Sequence, residues 1–326
     1  MGRSARLGLA TGLIGATMAI AAAGPAAALV PAAPKKTPSA AVTLRAEHSP
    51  VFLGRSIAML SGDRVRVRGL VHNHLAGESV RLILSRAGRV VRTLRLPVAG
   101  RSIGVFAASL RIVTPARYLV RVTGVPGATG AALVGKSLGI LVVSGAPGDR
   151  TSVLALQQGL GDLHYRVFQT GSYDGATQDA VLAYRKVNGM ARTSDVNAGI
   201  MLPVLHGVGA FRPRFHGPGR HVEANLSEQV VALINAGNRV FQVIPTSSGK
   251  PSTPTVLGTF HVYRKAPGVN SESMFDSNYF IGGYAIHGFP DVPTYPASHG
   301  CLRIPNSDAP FVFGWLKVGD EVDVYY

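Results

Sequence analysis

Short stretches of alternating polar and apolar residues, repeatedly cut by glycine-containing turns, set the strongest limit on what this chain can fold into. Arg64-Val65-Arg66-Val67-Arg68 changes character at every residue. A strand turns successive side chains to opposite faces, so this period suits a strand with one face buried and one wet. Apolar-rich runs recur at Val80–Leu84, Val90–Leu96, Tyr118–Val122 and Leu138–Val143. Ala76-Gly77, Ala87-Gly88 and Ala99-Gly100 lie between them as turns. No amphipathic helical period interrupts residues 41–146, which predicts a β-sandwich of immunoglobulin-like type.

The period changes after a Gly- and Pro-bearing linker, Ser144 to Thr151. A helix is predicted from Val153 through Leu160, capped by Thr151 or Ser152. A turn at Gly171–Gly175 follows, then a helix capped by Thr177. Its Ala180, Val181, Tyr184 and Val187 are apolar at helical spacing, and Asn188-Gly189 ends it. Residues 151–206 therefore form a small helical module, and residues 207–220 a linker. Strand signals return from 221 to 326. Gln229–Ile234 and Arg239–Ile244 flank Asn235-Ala236-Gly237-Asn238, which has hairpin chemistry. Thr255–Val262 continues the sheet, Asn306 or Ser307 caps one short helix through Trp315, and Glu321–Tyr325 closes the domain. The expected fold is mainly β and multidomain.

Residues 1–30 read as a secretory signal: Arg3 and Arg6 precede an uncharged Ala/Gly-rich run with small-residue cleavage sites at Ala21–Ala23 and Ala26–Ala28. An uncleaved membrane anchor is the alternative. Residues 31–40 form a linker carrying Lys35 and Lys36. Export is thus expected, to the cell wall or the periplasmic side. Of the formal net charge of +16, residues 41–150 hold +12, from 16 Lys/Arg against 4 Asp/Glu. Residues 216–326 hold −2, from 7 against 9. The basic module could attract anionic wall polymers, or its arginines could simply solvate an outer sheet face. Nucleic acid does not fit an exported chain.

One cysteine, Cys301, makes an internal disulfide impossible. It lies in Ser298-His299-Gly300-Cys301-Leu302-Arg303, shortly after Tyr284-Ala285-Ile286-His287-Gly288. A thiol attacks as its thiolate, and a nearby histidine can generate one. The reading as a small buried Cys beside two structural histidines stands against this. Zinc on Cys301, His287 and His299 is a further option, but no CxxC or HExxH string accompanies them. No cofactor or metal is expected.

The His-Gly, spacer, Ser-His-Gly-Cys-x-Arg pattern resembles the active-site signature of the L,D-transpeptidase family. The likeness extends over Ser248-Gly249-Lys250-Pro251, Gly258-Thr259-Phe260 and Val318-Gly319-Asp320, and covers nearly all of 221–326. It implies Cys301 as nucleophile and His287 as general base. His299 and Ser298 would support substrate or oxyanion, and the Gly300 and Cys301 amides would form an oxyanion hole. Arg303 would clamp a substrate carboxylate unless it serves a structural ion pair. The Gly288 carbonyl, rather than Asp291 or Asp308, would orient a histidine. The implied reaction is cross-linking of peptidoglycan stem peptides through a Cys301 thioester, with release of D-alanine from a tetrapeptide donor. The alternatives are an L,D-carboxypeptidase using the same intermediate, or a non-catalytic wall-binding protein. A sortase or papain-like enzyme fits less well, because the sortase Thr-x-Thr-Cys string is missing and the base precedes the cysteine.

Leu156-Gln157, Gly171-Ser172-Tyr173, Thr177, Ala180-Val181, Tyr184 and Asn188-Gly189 resemble the peptidoglycan-binding domain type 1, with Arg185 where the family commonly has Gln. That likeness implies binding to wall peptide or glycan.

Overall fold

The computed structural model describes residues 41–47, 51–72, 77–125, 134–135, 137–217 and 219–326. The predicted signal and first linker lie outside these residues, as does Ala76 of the first predicted turn.

Among the described residues, eleven strands lie within 41–143. They are β1 (Ala41–Glu47), β2 (Phe52–Leu53), β3 (Ser56–Leu60), β4 (Arg64–His72), β5 (Ser79–Arg86), β6 (Arg89–Pro97), β7 (Ala99–Gly100), β8 (Ile103–Arg111), β9 (Ala116–Gly124), β10 (Val134–Gly135) and β11 (Leu138–Val143). They form one sheet of order β10-β1-β4-β8-β7 and another of order β2-β3-β11-β9-β5-β6. Val65 and Val67 of β4 and Phe106 and Leu110 of β8 share one core with Leu82 of β5, Val120 of β9 and Ile140 of β11. The alternation seen in β4 is realised residue by residue, with Arg64, Arg66 and Arg68 exposed. β6 departs from the expected half-buried strand: it is a sheet edge, and Val90 and Val91 are exposed.

Three helices follow, α1 (Arg150–Asp162), α2 (Gly175–Val187) and α3 (Ala198–Leu205). Two predicted caps are corrected. Asp149 caps α1, its carboxylate accepting from Thr151 N, and Asp174 caps α2, accepting from Thr177 N. An aspartate one turn earlier outcompetes the hydroxyls because its charge also suits the positive helix N-terminus. Thr177 instead lies buried inside α2 and accepts from Gln157 Nε2 at 2.8 Å. The same Gln157 amide donates to the Ser172 carbonyl, and its Oε1 accepts from Gly171 N. The Leu-Gln, Gly-Ser and Thr positions of the sequence pattern are therefore one buried polar network that ties the turn to both helices.

From 221 onward come β12 (His221–Asn225), β13 (Val230–Asn235), β14 (Arg239–Pro245), β15 (Gly258–His261), β16 (Arg264–Val269), β17 (Phe275–Ile281), β18 (Tyr284–Phe289), β19 (Leu302–Pro305), α4 (Ala309–Trp315) and β20 (Glu321–Tyr325). The hairpin of β13 and β14 forms as expected. Asp308, not Asn306 or Ser307, is the residue at the N-cap of α4, and its side chain makes no cap hydrogen bond. Two sheets, β14-β13-β12-β20-β15 and β16-β17-β18-β19, pack with α4 around Val222, Leu233, Phe280, Ile286, Leu302 and Val312.

The helical stretch is joined to both neighbours. Its core includes Val51, Leu60 and Val143 from one side and Val230, Ala232 and Val243 from the other. The turn after α1 adds to the edge of β14, with Arg166 N donating to Val243 O at 3.0 Å and Val243 N to His164 O at 2.8 Å.

Candidate active site

Parallel pairing of β18 with β19 sets Ile286 beside Leu302 and His287 beside Arg303. Ile286, Leu302 and Ile304 face the core. By the two-residue period of a strand, His287, Cys301 and Arg303 then face the other way. These two strings are thus brought together by strand pairing, although fourteen positions separate the two residues most concerned, His287 and Cys301.

That face opens into a cavity of about 260 Å³ lined by Glu272, Met274, His287, Phe289, Ser298, His299, Cys301 and Arg303. A larger cavity of about 550 Å³ lies elsewhere, against Asn188, Gly209, Arg212, Asn225 and Glu228, and no Cys or His among the described residues lines it. The smaller one holds the nucleophile candidate together with titratable groups, which makes it the candidate site.

His287 is 2% exposed. Its Nδ1 sits 2.8 Å from the Gly288 carbonyl oxygen. A carbonyl only accepts, so Nδ1 carries the proton and Nε2 keeps a free lone pair. Burial holds the imidazole down to about pKa 4; the Gly288 hydrogen bond opposes this and the Arg303 charge adds to it. Burial pushes the Cys301 thiol up, and the Glu272 carboxylate does the same, against the pull of the Ala285 amide and Arg303. At neutral pH the pair rests as thiol and neutral imidazole.

The loop before β19 is fixed by its own serine. Ser298, buried, donates through Oγ to the Cys301 carbonyl at 2.6 Å and accepts from Gly300 N at 3.1 Å. The Gly300 amide, expected at an oxyanion hole, is thereby engaged. Gly300 has φ +119°, and a Cβ there would lie 1.8 Å from the Tyr284 ring. Only glycine meets both demands. His299 is exposed and its Nε2 lies 3.1 Å from Lys250 Nζ, so it accepts from the ammonium. Arg303 stacks its guanidinium 3.9 Å over the Phe289 ring, and no carboxylate pairs with it among the described residues. Asp308 is buried and pairs with Arg166 at 3.5 Å, while Asp291 is exposed. Burial pushes Asp308 up to about 7. No three His, Cys, Asp or Glu side chains among the described residues converge as a metal site.

Several contributors are not singled out as site residues by the sequence, although Ser248 to Lys250 lie within the family resemblance. Glu272 and Met274 reach the cavity from a turn in which Asn270 Oδ1 accepts from both of their amides. Residues 246–250 brace the loop: Ser247 and Arg303 exchange both backbone hydrogen bonds, and Ser298 N donates to Ser248 O. Thr246 Oγ1 adds a bond to the Arg303 carbonyl.

A model of the YkuD family, the L,D-transpeptidase catalytic domain, matches residues 219–324. L,D-transpeptidase 1 of Mycobacterium tuberculosis is 27% identical over 112 residues, 28% of this chain and 45% of its own length. The chain thus spans less than half of that curated relative. The crystal structure of an L,D-transpeptidase from Xylanimonas cellulosilytica is 35% identical, covering 53% of this chain and 92% of its own with a TM-score of 0.50. One from Stackebrandtia nassauensis is 20% identical over 52% of this chain and 89% of its own, with a TM-score of 0.34. With the matching domain model and the Xylanimonas likeness in agreement, the chain belongs to the L,D-transpeptidase family.

Proposed function

We propose that the protein cross-links peptidoglycan stem peptides by acyl transfer through Cys301. The observation that carries this is the placement of Cys301 and His287 on one face of paired strands, at one cavity, with Nδ1 of His287 tied to Gly288 O. His287 Nε2 takes the Sγ proton as sulfur attacks the carbonyl carbon before the terminal D-alanine of a tetrapeptide donor. The oxyanion is met by the Cys301 amide, since the Gly300 amide is bound to Ser298 Oγ. The C–N bond breaks, the imidazolium hands its proton to the leaving amine, and a thioester remains. An acceptor amine attacks the thioester, its proton passes to His287, and the thiolate leaves and is reprotonated. A neutral resting pair suits this sequence, because the proton moves only as the bond forms. Arg303, with no carboxylate partner among the described residues, would clamp a substrate carboxylate. His299 would lie at the rim with Lys250.

The remaining readings support this role. The 41–146 stretch would be an immunoglobulin-like domain that meets anionic wall polymers, and 151–206 a peptidoglycan-binding module. Together they would hold the exported enzyme on its insoluble substrate and raise the effective concentration. The test is intact mass after mixing the chain with tetrapeptide-stem muropeptide. A gain equal to the donor less D-alanine, absent in Cys301→Ala, is expected. No adduct on folded protein with a titratable thiol would sink the reading.

A further inference from the structure

We propose that the helical stretch completes the active site, with Lys186 of α2 and Arg192 just beyond it acting as positioning residues for the Cys301 loop. The inference rests on Cys301 being the working residue. Lys186 is 3% exposed, and its Nζ donates to the Gln229 carbonyl at 3.1 Å and the Thr246 carbonyl at 3.0 Å. An ammonium is costly to bury, so a position meant only to fill space would favour Met or Leu. The donors are what Lys186 supplies there.

Both acceptors belong to the bracing of the site. Gln229 is buried, and its side chain accepts from Ser248 N at 2.9 Å and donates to Ser248 Oγ at 2.6 Å. Ser248 O in turn accepts from Ser298 N and Ala297 N. Thr246 Oγ1 donates to Arg303 O. Lys186 therefore stands one hydrogen bond behind Thr246, which holds the Arg303 end of the Ser298–Arg303 string, and, through Gln229, two behind Ser248, which holds the Ser298 end. Arg192 acts from the other side. Its guanidinium donates to Ser227 O at 2.6 Å and to Thr294 O at 3.1 Å. Thr294 precedes Tyr295, whose carbonyl accepts from Ser247 Oγ at 2.7 Å. The backbone addition of residues 164–166 to β14 fixes α2 beside the strand that runs into Thr246. Two basic side chains from the helical stretch thus donate to the two segments that frame the nucleophile. A small displacement of a reacting atom suffices to slow a reaction by orders of magnitude.

The test uses the full chain and the variants Lys186→Met, Arg192→Gln and Arg192→Lys. Two readouts are taken on each: the first-order rate of thioester formation at saturating donor, with donor affinity, and the pH profile of Cys301 alkylation by iodoacetamide. We expect Lys186→Met to slow thioester formation by about tenfold or more, to leave donor affinity within about twofold, and to shift the alkylation profile. Arg192→Gln should act in the same direction, and Arg192→Lys should restore part of the rate. If Lys186→Met does not fold, Lys186→Gln, which keeps a donor at that position, takes its place and is expected to slow thioester formation in the same direction. Folded variants with unchanged thioester formation and unchanged alkylation profiles would overturn the proposal. If the unaltered chain forms no thioester, the acyl-transfer reading fails, while the alkylation profiles still decide the positioning one.

Discussion

His287 and Cys301 line one cavity and both rest uncharged, and for His287 this has a stability consequence. The folded imidazole titrates near 4 against an ordinary value of 6.5, so between those pH values the unfolded chain binds a proton that the folded chain does not. Stability therefore falls as pH drops from about 6.5 to 4, by about 3 kcal/mol at most. His287→Gln should remove that slope in thermal unfolding between pH 7 and 4; an unchanged slope would contradict the buried neutral ring. A second prediction concerns Gly300. Alanine there meets both the Tyr284 ring and a left-handed φ, and should cost roughly 3 kcal/mol. Adding Tyr284→Ala should recover only part of the melting temperature, since the φ penalty stays. Both residues were legible in the sequence because the His-Gly and Ser-His-Gly-Cys strings are local. The bond from the Gly300 amide to Ser298 Oγ had no sequence signal, although Ser298 stands two residues away in the same string. Lys186 was not legible as a site contributor, since its partners Gln229 and Thr246 are distant in the chain and their acceptors are backbone atoms.

At the level of elements, turn chemistry read well and caps did not. Asn235-Ala236-Gly237-Asn238 announced the β13–β14 hairpin, because a tight turn is decided by its own residues. Caps at Thr177, at Thr151 or Ser152, and at Asn306 or Ser307 lost to Asp174, Asp149 and Asp308, since several capping residues stood within one turn. The parallel pairing of β18 and β19 that builds the cavity has no local signal, because register between strands is set by which faces a common core buries. Asp174 offers the test at this scale. Its Oδ1 accepts from Thr177 N at 3.0 Å and Thr177 Oγ1 at 2.6 Å, and its Oδ2 from Thr170 Oγ1 at 2.8 Å. Asp174→Ala should cost about 1 to 2 kcal/mol by removing the cap and loosening the Gln157 network, with Asp174→Asn losing less. Equal melting temperatures for all three chains would mean that the cap adds nothing to the packing of α2.

Across the whole molecule, charge and packing divide between the two faces of the first two sheets. Valines and leucines turn inward to a shared core, and arginines of β4 and β5 turn outward. Glu47 neutralises only part of that face, by contacts to Arg66 at 3.1 Å and Arg68 at 3.7 Å. Exposed pairs of this kind add little stability; the arginines either solvate the outer face or, as we propose, meet an anionic polymer, and salt dependence separates the two. The core at the other end of this stretch runs on into the helices, where Val51, Leu60 and Val143 join Met201 and Val204. A polymer held on the basic sheets would thus be held by a body continuous with the cavity at Cys301, without a change at the cavity itself. The expected behaviour is retention on immobilised polyphosphate at about 0.05 M salt and release by about 0.5 M, because screening shortens the reach of exposed charge. Substituting Arg64, Arg66 and Arg68 by Gln should weaken retention and leave thioester formation with soluble muropeptide unaltered. Retention indifferent to salt and to these substitutions would assign the arginines to solvation of the sheet alone. Weakened retention with a slowed thiol reaction would show instead that the first sheets influence the site through the shared core.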